Sequence, residues 1–262
     1  MLGDKLRFRF AKTGTLRLLS HHDLMRCFER ILRRADVPFK STAGFHPSPR
    51  VVFALSLGLG VVGRDEAVEI EFTQPCESDD VLARLNAQAP SGLAFTRTAV
   101  VPMKATALPR RMIYSLELPE DRVDAAADAC RGLMQDERVW VDRMKPNPKR
   151  LNIRPYFRNL SVIDNTLSLD LWVTQTGTAR ADELLRLLGL SDLLDSGYTL
   201  SRDIVELRDE FTGEDDSADR PPDGPAETLP LNPAAARAAF RDNEYTSAAA
   251  QWGSTLSGPA VE

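Results

Sequence analysis

Three histidines are the side chains best suited to proton transfer near neutral pH, and all lie early in the chain, as His21-His22 and His46. His21 and His22 fall at the start of a predicted helix, where the positive end of the dipole favours the neutral imidazole that a general base needs. These three are the catalytic candidates, and the competing account for His21 and His22 is that one simply caps or packs the helix entry. No Lys, Tyr or Ser is fixed beside them by a motif. No Cys or carboxylate spacing completes a metal shell around them either, so no metal ligands are assigned. Cys27, Cys76 and Cys130 lie far apart and form no zinc or iron–sulfur pattern, so the chain is expected to carry no cofactor of its own.

Binding chemistry is more visible than catalysis. Residues 43–63 read AGFHPSPRVVFALSLGLGVVG. A loop shaped by Gly44, Pro47 and Pro49 holds His46 and Arg50 with little entropy left to lose on binding, and Gly58 and Gly60 mark a turn or bulge beyond it. A second basic Pro-x-Pro stretch runs from Arg143 through Lys145, Lys149 and Arg150 to Arg154, Tyr156, Phe157 and Arg158. Basic residues interleaved with aromatics suit single-stranded RNA, the cations meeting phosphates and the rings stacking bases. The RNA-contact candidates are therefore Arg50, Lys145, Lys149, Arg150, Arg154, Tyr156, Phe157 and Arg158; the alternative is a solvated, ion-paired surface.

No Walker loop, nucleophile elbow, HExxH or dinucleotide fingerprint is present. Gly58-Leu59-Gly60-Val61-Val62-Gly63 has the GxGxxG spacing, but Arg64-Asp65-Glu66 and a strand follow where a phosphate-binding helix is required.

The elements that would hold these residues alternate between strand and helix periods. Leu6, Phe8 and Phe10 alternate with Lys5, Arg7 and Arg9, a strand with one apolar and one basic face. Ser20 with Asp23 three residues on predicts a capped helix over 21–36, with Leu24, Cys27, Phe28, Ile31, Leu32 and Ala35 on one face and arginines on the other. Strands over 39–42, 51–55 and 68–72, a helix over 78–88 and a strand over 93–101 complete a β-α-β-β-α-β order, the ferredoxin-like split βαβ. After a linker over 102–111 the order repeats more loosely. Strands are expected at 112–118, 139–143, 150–155, 167–173 and 204–207, with Asp170 facing out, and helices at 121–135 and 181–188. The fold class is thus α+β, two ferredoxin-like halves, 1–103 and 110–211, packed together. A single larger α+β domain remains open.

Charge is unevenly spread along the 262 residues: 1–50 hold eleven Lys/Arg against four Asp/Glu, while 212–262 hold three against nine. The second segment is poor in core residues and predicts a disordered acidic tail, within which 233–241 could form one short helix. No signal-peptide h-region and no membrane-length apolar run is present, so a cytoplasmic protein without membrane contact is expected.

Leu16-Arg17-Leu18-Leu19-Ser20, then HHDLMRCFERILRRADVP, then GFHPSPRVVFALSLGLGVVGRDEAVEIEF, resemble the radical-SAM-linked bacterial domain of unknown function over about residues 4–210. The resemblance extends to Pro155 and to the segment 177–188. It implies a radical SAM protein as partner and, through ribosomal-protein and ribonuclease G-type gene neighbours in some genomes, RNA. A weaker resemblance, to repeat-processing endoribonucleases of CRISPR systems, rests on the early histidines and the glycine-rich hairpin. The expected function is an RNA-binding or substrate-presenting accessory protein that has no catalytic activity of its own and works with a separately encoded radical SAM enzyme in RNA modification or processing. Alternatives are a metal-independent endoribonuclease using a histidine and a structural assembly module. Oligomeric state is left open.

Overall fold

The protein's structure is a computed structural model that describes residues 3–144, 148–211 and 224–231. The chain opens with β1 (Lys5–Lys12), a 3-10 turn at Gly14–Leu18 and α1 (His21–Arg34). Ser20 caps α1 as its spacing implies, its hydroxyl accepting from the Asp23 amide at 3.2 Å. Next come β2 (Val51–Phe53), β3 (Val62–Glu71), α2 (Ser78–Gln88) and β4 (Leu93–Val101). Leu6, Phe8 and Phe10 of β1 pack with Leu24, Phe28 and Ile31 of α1 and Val81 and Leu85 of α2 into one core. Phe10 and Phe28 meet edge to face at 5.2 Å.

The second half runs β5 (Pro109–Glu117), α3 (Glu120–Gln135), β6 (Trp140–Arg143), β7 (Lys149–Asn152), β8 (Phe157–Ile163), β9 (Thr166–Trp172), α4 (Ala181–Leu187), α5 (Ser191–Asp195) and β10 (Ser201–Leu207). Leu167, Leu169 and Leu171 of β9 form a second core with Ala126 and Cys130 of α3 and Leu184 and Leu185 of α4.

One eight-stranded sheet crosses both halves in the order β4-β1-β3-β10-β5-β9-β8, with β2 also on β3. Its only parallel pairing among the described residues is β3 with β10, at Val62–Ser201 and Gly63–Arg202. Beyond Arg202, β10 leaves β3 and crosses the face opposite α1, where Val205 and Leu207 pack on Ala67 and the Val205 carbonyl accepts from Arg9. The α+β class stands, with the halves joined edge to edge in one mixed sheet. At the join, Arg202 forms a two-pronged ion pair with Glu66 at 2.8 and 2.6 Å, both side chains 3% exposed.

Several expectations need correction. Residues 39–42 form isolated bridges and not a strand, because the proline loop draws the chain into a narrow hairpin. Strand β8 was not foreseen, since a bulge between Phe157 and Asn159 breaks the alternation that reveals a strand. Asp170 alternates with Leu169 and Leu171 onto the face away from the helices, but it is buried there, 5% exposed, where Arg111 grips it at 2.6 and 2.7 Å and Arg158 donates at 2.7 Å. The expected structureless tail does not hold for Thr228–Pro230, which forms β11 against β7 in a small sheet with β6. Ala226 packs on the second core there, and the Asn152 amide donates to the Glu227 carbonyl at 2.9 Å. The rest of the tail, including the short helix at 233–241, lies outside the described residues.

Candidate functional site

The proline loop is a hairpin standing on the edge of the first half. The Lys40 amide donates to the Glu71 carbonyl at 2.7 Å, the Arg50 amide to the Lys40 carbonyl at 2.8 Å, and the Thr42 amide to the Ser48 carbonyl at 2.8 Å. The Thr42 hydroxyl accepts from the Ser48 amide at 3.1 Å. Gly44 turns the tip at a φ of 133°, a conformation that a side chain would strain. Phe45 follows it and stands fully exposed, with His46 exposed beside it. Arg33 of α1 reaches the Pro47 carbonyl at 3.5 Å and lies 5.6 Å over the Phe39 ring, so the loop rests against the arginine face of the helix. A cleft of about 240 Å³ separates them, lined by His22, Met25, Arg26, Glu29 and Pro49.

Arg50 is exposed and paired with Glu71 at 3.1 Å, and Lys40 meets the same carboxylate at 3.1 Å. Partial burial pushes the Glu71 carboxyl up, but the hydrogen bonds from Lys40 and Arg50 outweigh it and hold the group below the usual carboxylate range. Arg30 and Arg34 are exposed on the same helix, and among the described residues neither has an ion-pair partner.

The histidines do not converge. His21 packs edge-on against Phe53 at 5.3 Å and lies 6.3 Å from the ring of exposed His22, while His46 is out on the loop. No described residue hydrogen-bonds to any of the three rings, so the geometry provides no oriented acid–base pair. Of the loop-shaping glycines, Gly60 turns at a φ of 82° and its amide donates to the Arg17 carbonyl at 2.9 Å, whereas Gly58 has an ordinary conformation.

The second basic stretch is largely engaged within the fold. Tyr156 is 1% exposed and Phe157 is also buried, both in the second core, so neither ring is available to a base; this corrects the stacking role expected for them. A short 3-10 turn at Arg154–Tyr156 rotates the pair inward before β8 begins. Arg154 caps α3, donating to the Met134 carbonyl at 2.7 Å and the Asp136 carbonyl at 3.0 Å, and lies 5.8 Å over Phe157. Arg158 holds Asp170, and Arg150 pairs with Asp142 at 3.4 Å. Lys149 is half-buried opposite Pro230, and Lys145 lies outside the described residues.

Among the described residues no group of three or more His, Cys, Asp or Glu could hold a metal ion, and no helix is long and apolar enough to cross a membrane. Cys130 is buried, which pushes its thiol up to about 11; Cys27 and Cys76 are half-buried and also raised by burial.

A large mixed sheet with helices on the face of each half, a small three-stranded sheet, and an exposed aromatic loop beside the first helix define an α+β protein with a surface-borne candidate site. The chain belongs to the family described as an uncharacterized protein conserved in bacteria (DUF2344), which matches residues 5–182. No curated protein matches it. Among solved structures it is similar to an unknown protein from Galdieria sulphuraria, at 11% identity and a TM-score of 0.25, over 78% of this chain and 99% of that one.

Proposed function

We propose that this chain is a cytoplasmic accessory protein that binds RNA, or presents a substrate, for a separately encoded radical SAM enzyme in RNA modification or processing. The surface of α1 and the proline loop does the binding. The observation that carries this reading is Phe45, an aromatic ring wholly in water at the tip of a proline-stiffened hairpin, beside a helix rich in arginines. An exposed ring on a proline-stiffened loop loses little entropy when a base stacks on it, and among the described residues Arg30 and Arg34 have no competing carboxylate. In this reading the partner brings the iron–sulfur cluster and the chemistry; the radical SAM assignment rests on the resemblance of segments 16–20, 21–38 and 44–72.

Fluorescence anisotropy with a labelled single-stranded RNA tests the surface. Phe45→Ala should weaken binding with little change in salt dependence. Arg30→Glu with Arg34→Glu should flatten the slope of log affinity against log salt by about 1.4, at roughly 0.7 per phosphate contact. A folded protein with unaltered RNA affinity in both variants overturns the RNA reading. The burial of Tyr156 and Phe157 favours a structural assembly module as the second reading, and capture of the partner without RNA would favour it further.

A further inference from the structure

A second concentration of positive charge lies on the opposite face of the sheet, and it is buried. β1 turns Arg7 and Arg9 away from the helices, each 4% exposed, towards a cavity of about 470 Å³ between β4 and β10. Arg97 of β4 stands exposed at its mouth, and Thr98 also lines it. Two and three residues past the end of β10, Asp209 and Glu210 supply carboxylates that meet these arginines. The two terminal nitrogens of Arg7 hold Asp209 in a fork at 2.8 and 2.7 Å; one of them also reaches Glu210 at 3.2 Å, and Arg9 bonds the other Glu210 oxygen.

The burial is lopsided: the arginines are buried, whereas the Asp209 and Glu210 side chains keep 46% and 37% of their surface in water. Arg9 Nε, on a residue that lines the cavity, is buried with no hydrogen-bond partner among the described residues. The sheet itself does not balance the charge. Among the described residues, four cations on this face, Lys5, Arg7, Arg9 and Arg97, meet two sheet carboxylates, Asp65 and Glu69, and Asp209 and Glu210 supply two more; Glu206, which also lines the cavity, is paired with Arg110 and Arg111. Among the described residues the segment bearing them has two backbone hydrogen bonds, Arg208 amide to Leu108 carbonyl at 2.9 Å and Glu210 amide to Leu207 carbonyl at 3.3 Å.

We propose that this cavity is a phosphate-binding site and that Asp209 and Glu210 occupy it as an internal substitute for the ligand. A guanidinium fork accepts a phosphate in the same two-pronged geometry as a carboxylate. With both acidic side chains swung out, Lys5, Arg7, Arg9 and Arg97 outnumber their described sheet partners Asp65 and Glu69 by two, which matches a phosphate dianion. Arg9 Nε then supplies a donor that the carboxylates leave unused. This site is separate from the Phe45 surface and does not rest on the function proposed for it.

Isothermal titration of the full-length protein with inorganic phosphate, against chloride at matched ionic strength, tests the proposal. Asp209→Asn with Glu210→Gln should tighten phosphate binding by at least about tenfold, the gain expected if the acidic segment vacates the site a tenth of the time or less. Arg97→Ala, at an exposed position, should lower affinity severalfold in that background without altering the melting temperature. Titrations with one oligonucleotide carrying a 5′-phosphate or a 5′-hydroxyl identify the source. Tightening confined to inorganic phosphate indicates a small free ligand, and tightening that requires the 5′-phosphate indicates an RNA end. Phe45→Ala should leave phosphate affinity unchanged, which separates failure here from failure of the surface reading. Unchanged phosphate affinity in the folded double variant overturns the proposal; if that variant does not fold, unchanged affinity in Glu210→Gln alone does so.

Discussion

Glu66→Gln is the sharpest probe of the join between the halves. The substitution preserves shape but removes the only carboxylate that the described structure places on Arg202, whose other partners are the Ser56 carbonyl at 3.2 Å and the Tyr114 hydroxyl at 3.3 Å. Lys12, 1% exposed and held below its usual pKa by burial, shares this carboxylate's field. Lys12 can shed its proton when Glu66 is neutralised, but Arg202 cannot, so a buried cation is left uncompensated. Breaking one side of such a pair costs about 3–5 kcal/mol. At roughly 2–4 °C per kcal/mol for a chain of this size, the melting temperature should fall by about 6–20 °C. Urea unfolding followed by circular dichroism measures the cost directly. Glu66→Leu with Arg202→Met should recover most of it, because two apolar side chains remove both the charges and their desolvation. A loss below about 1 kcal/mol for Glu66→Gln at an unchanged denaturant slope would refute the view that this pair secures the seam.

Tyr156→Ala should reduce stability by about 3–5 kcal/mol, as for other large buried aromatics, and this will appear in unfolding curves whether or not RNA is present. Phe45→Ala should change stability by less than about 0.5 kcal/mol, since an exposed ring has no packing to lose, so any binding defect it causes is a surface effect. Cys130, with its thiol pushed up to about 11, should resist alkylation at pH 8 in the folded protein and react at an ordinary rate in urea, as mass spectrometry would report. The Asp209 carboxyl is held below the usual range by its hydrogen bond from Arg7, so its stabilisation is present above the unfolded value and lost as pH falls through the folded one. Asp209→Asn should therefore lower the urea midpoint at about pH 6, and the difference from the parent protein should shrink as pH falls below the ordinary aspartate range.

The parts of the fold that were legible are those where one local pattern had one structural meaning. Ser20 and Asp23 announced the start of α1, and the apolar alternation in 6–10 announced β1. The basic alternation of Lys5, Arg7 and Arg9 was harder: next to solvent it would be a surface, yet here it faces Glu69, Asp209 and Glu210 and is buried. Those partners lie up to about two hundred residues away, and sequence spacing carries no information on such a meeting. Tyr156 and Phe157 were misread for a related reason. An aromatic flanked by arginines can stack a base or anchor a core, and only the turn at Arg154–Tyr156 decides between them. The loop at 44–50 was read more successfully, because glycine and proline act on the backbone wherever the chain leads.

The divided edge of β3 fixes where the chain can change length. Ile70 to Val68 hold β2, and Gly63 to Val62 hold β10, on one strand whose pairing with β1 is regular from Glu71 to Glu66 and shifts by one residue between Glu66 and Gly63. A residue inserted between these two groups would move one docking position by about 3.3 Å relative to the other and send every intervening side chain to the wrong face. Arg202 would then no longer meet Glu66, and Ala67 would no longer lie under Val205 and Leu207. The turn at 56–61 is free of that constraint, since it enters the strand before either group. Lengthened loops are thus tolerable at 56–61, while β3 itself acts as a gauge block whose length sets the spacing of the two halves.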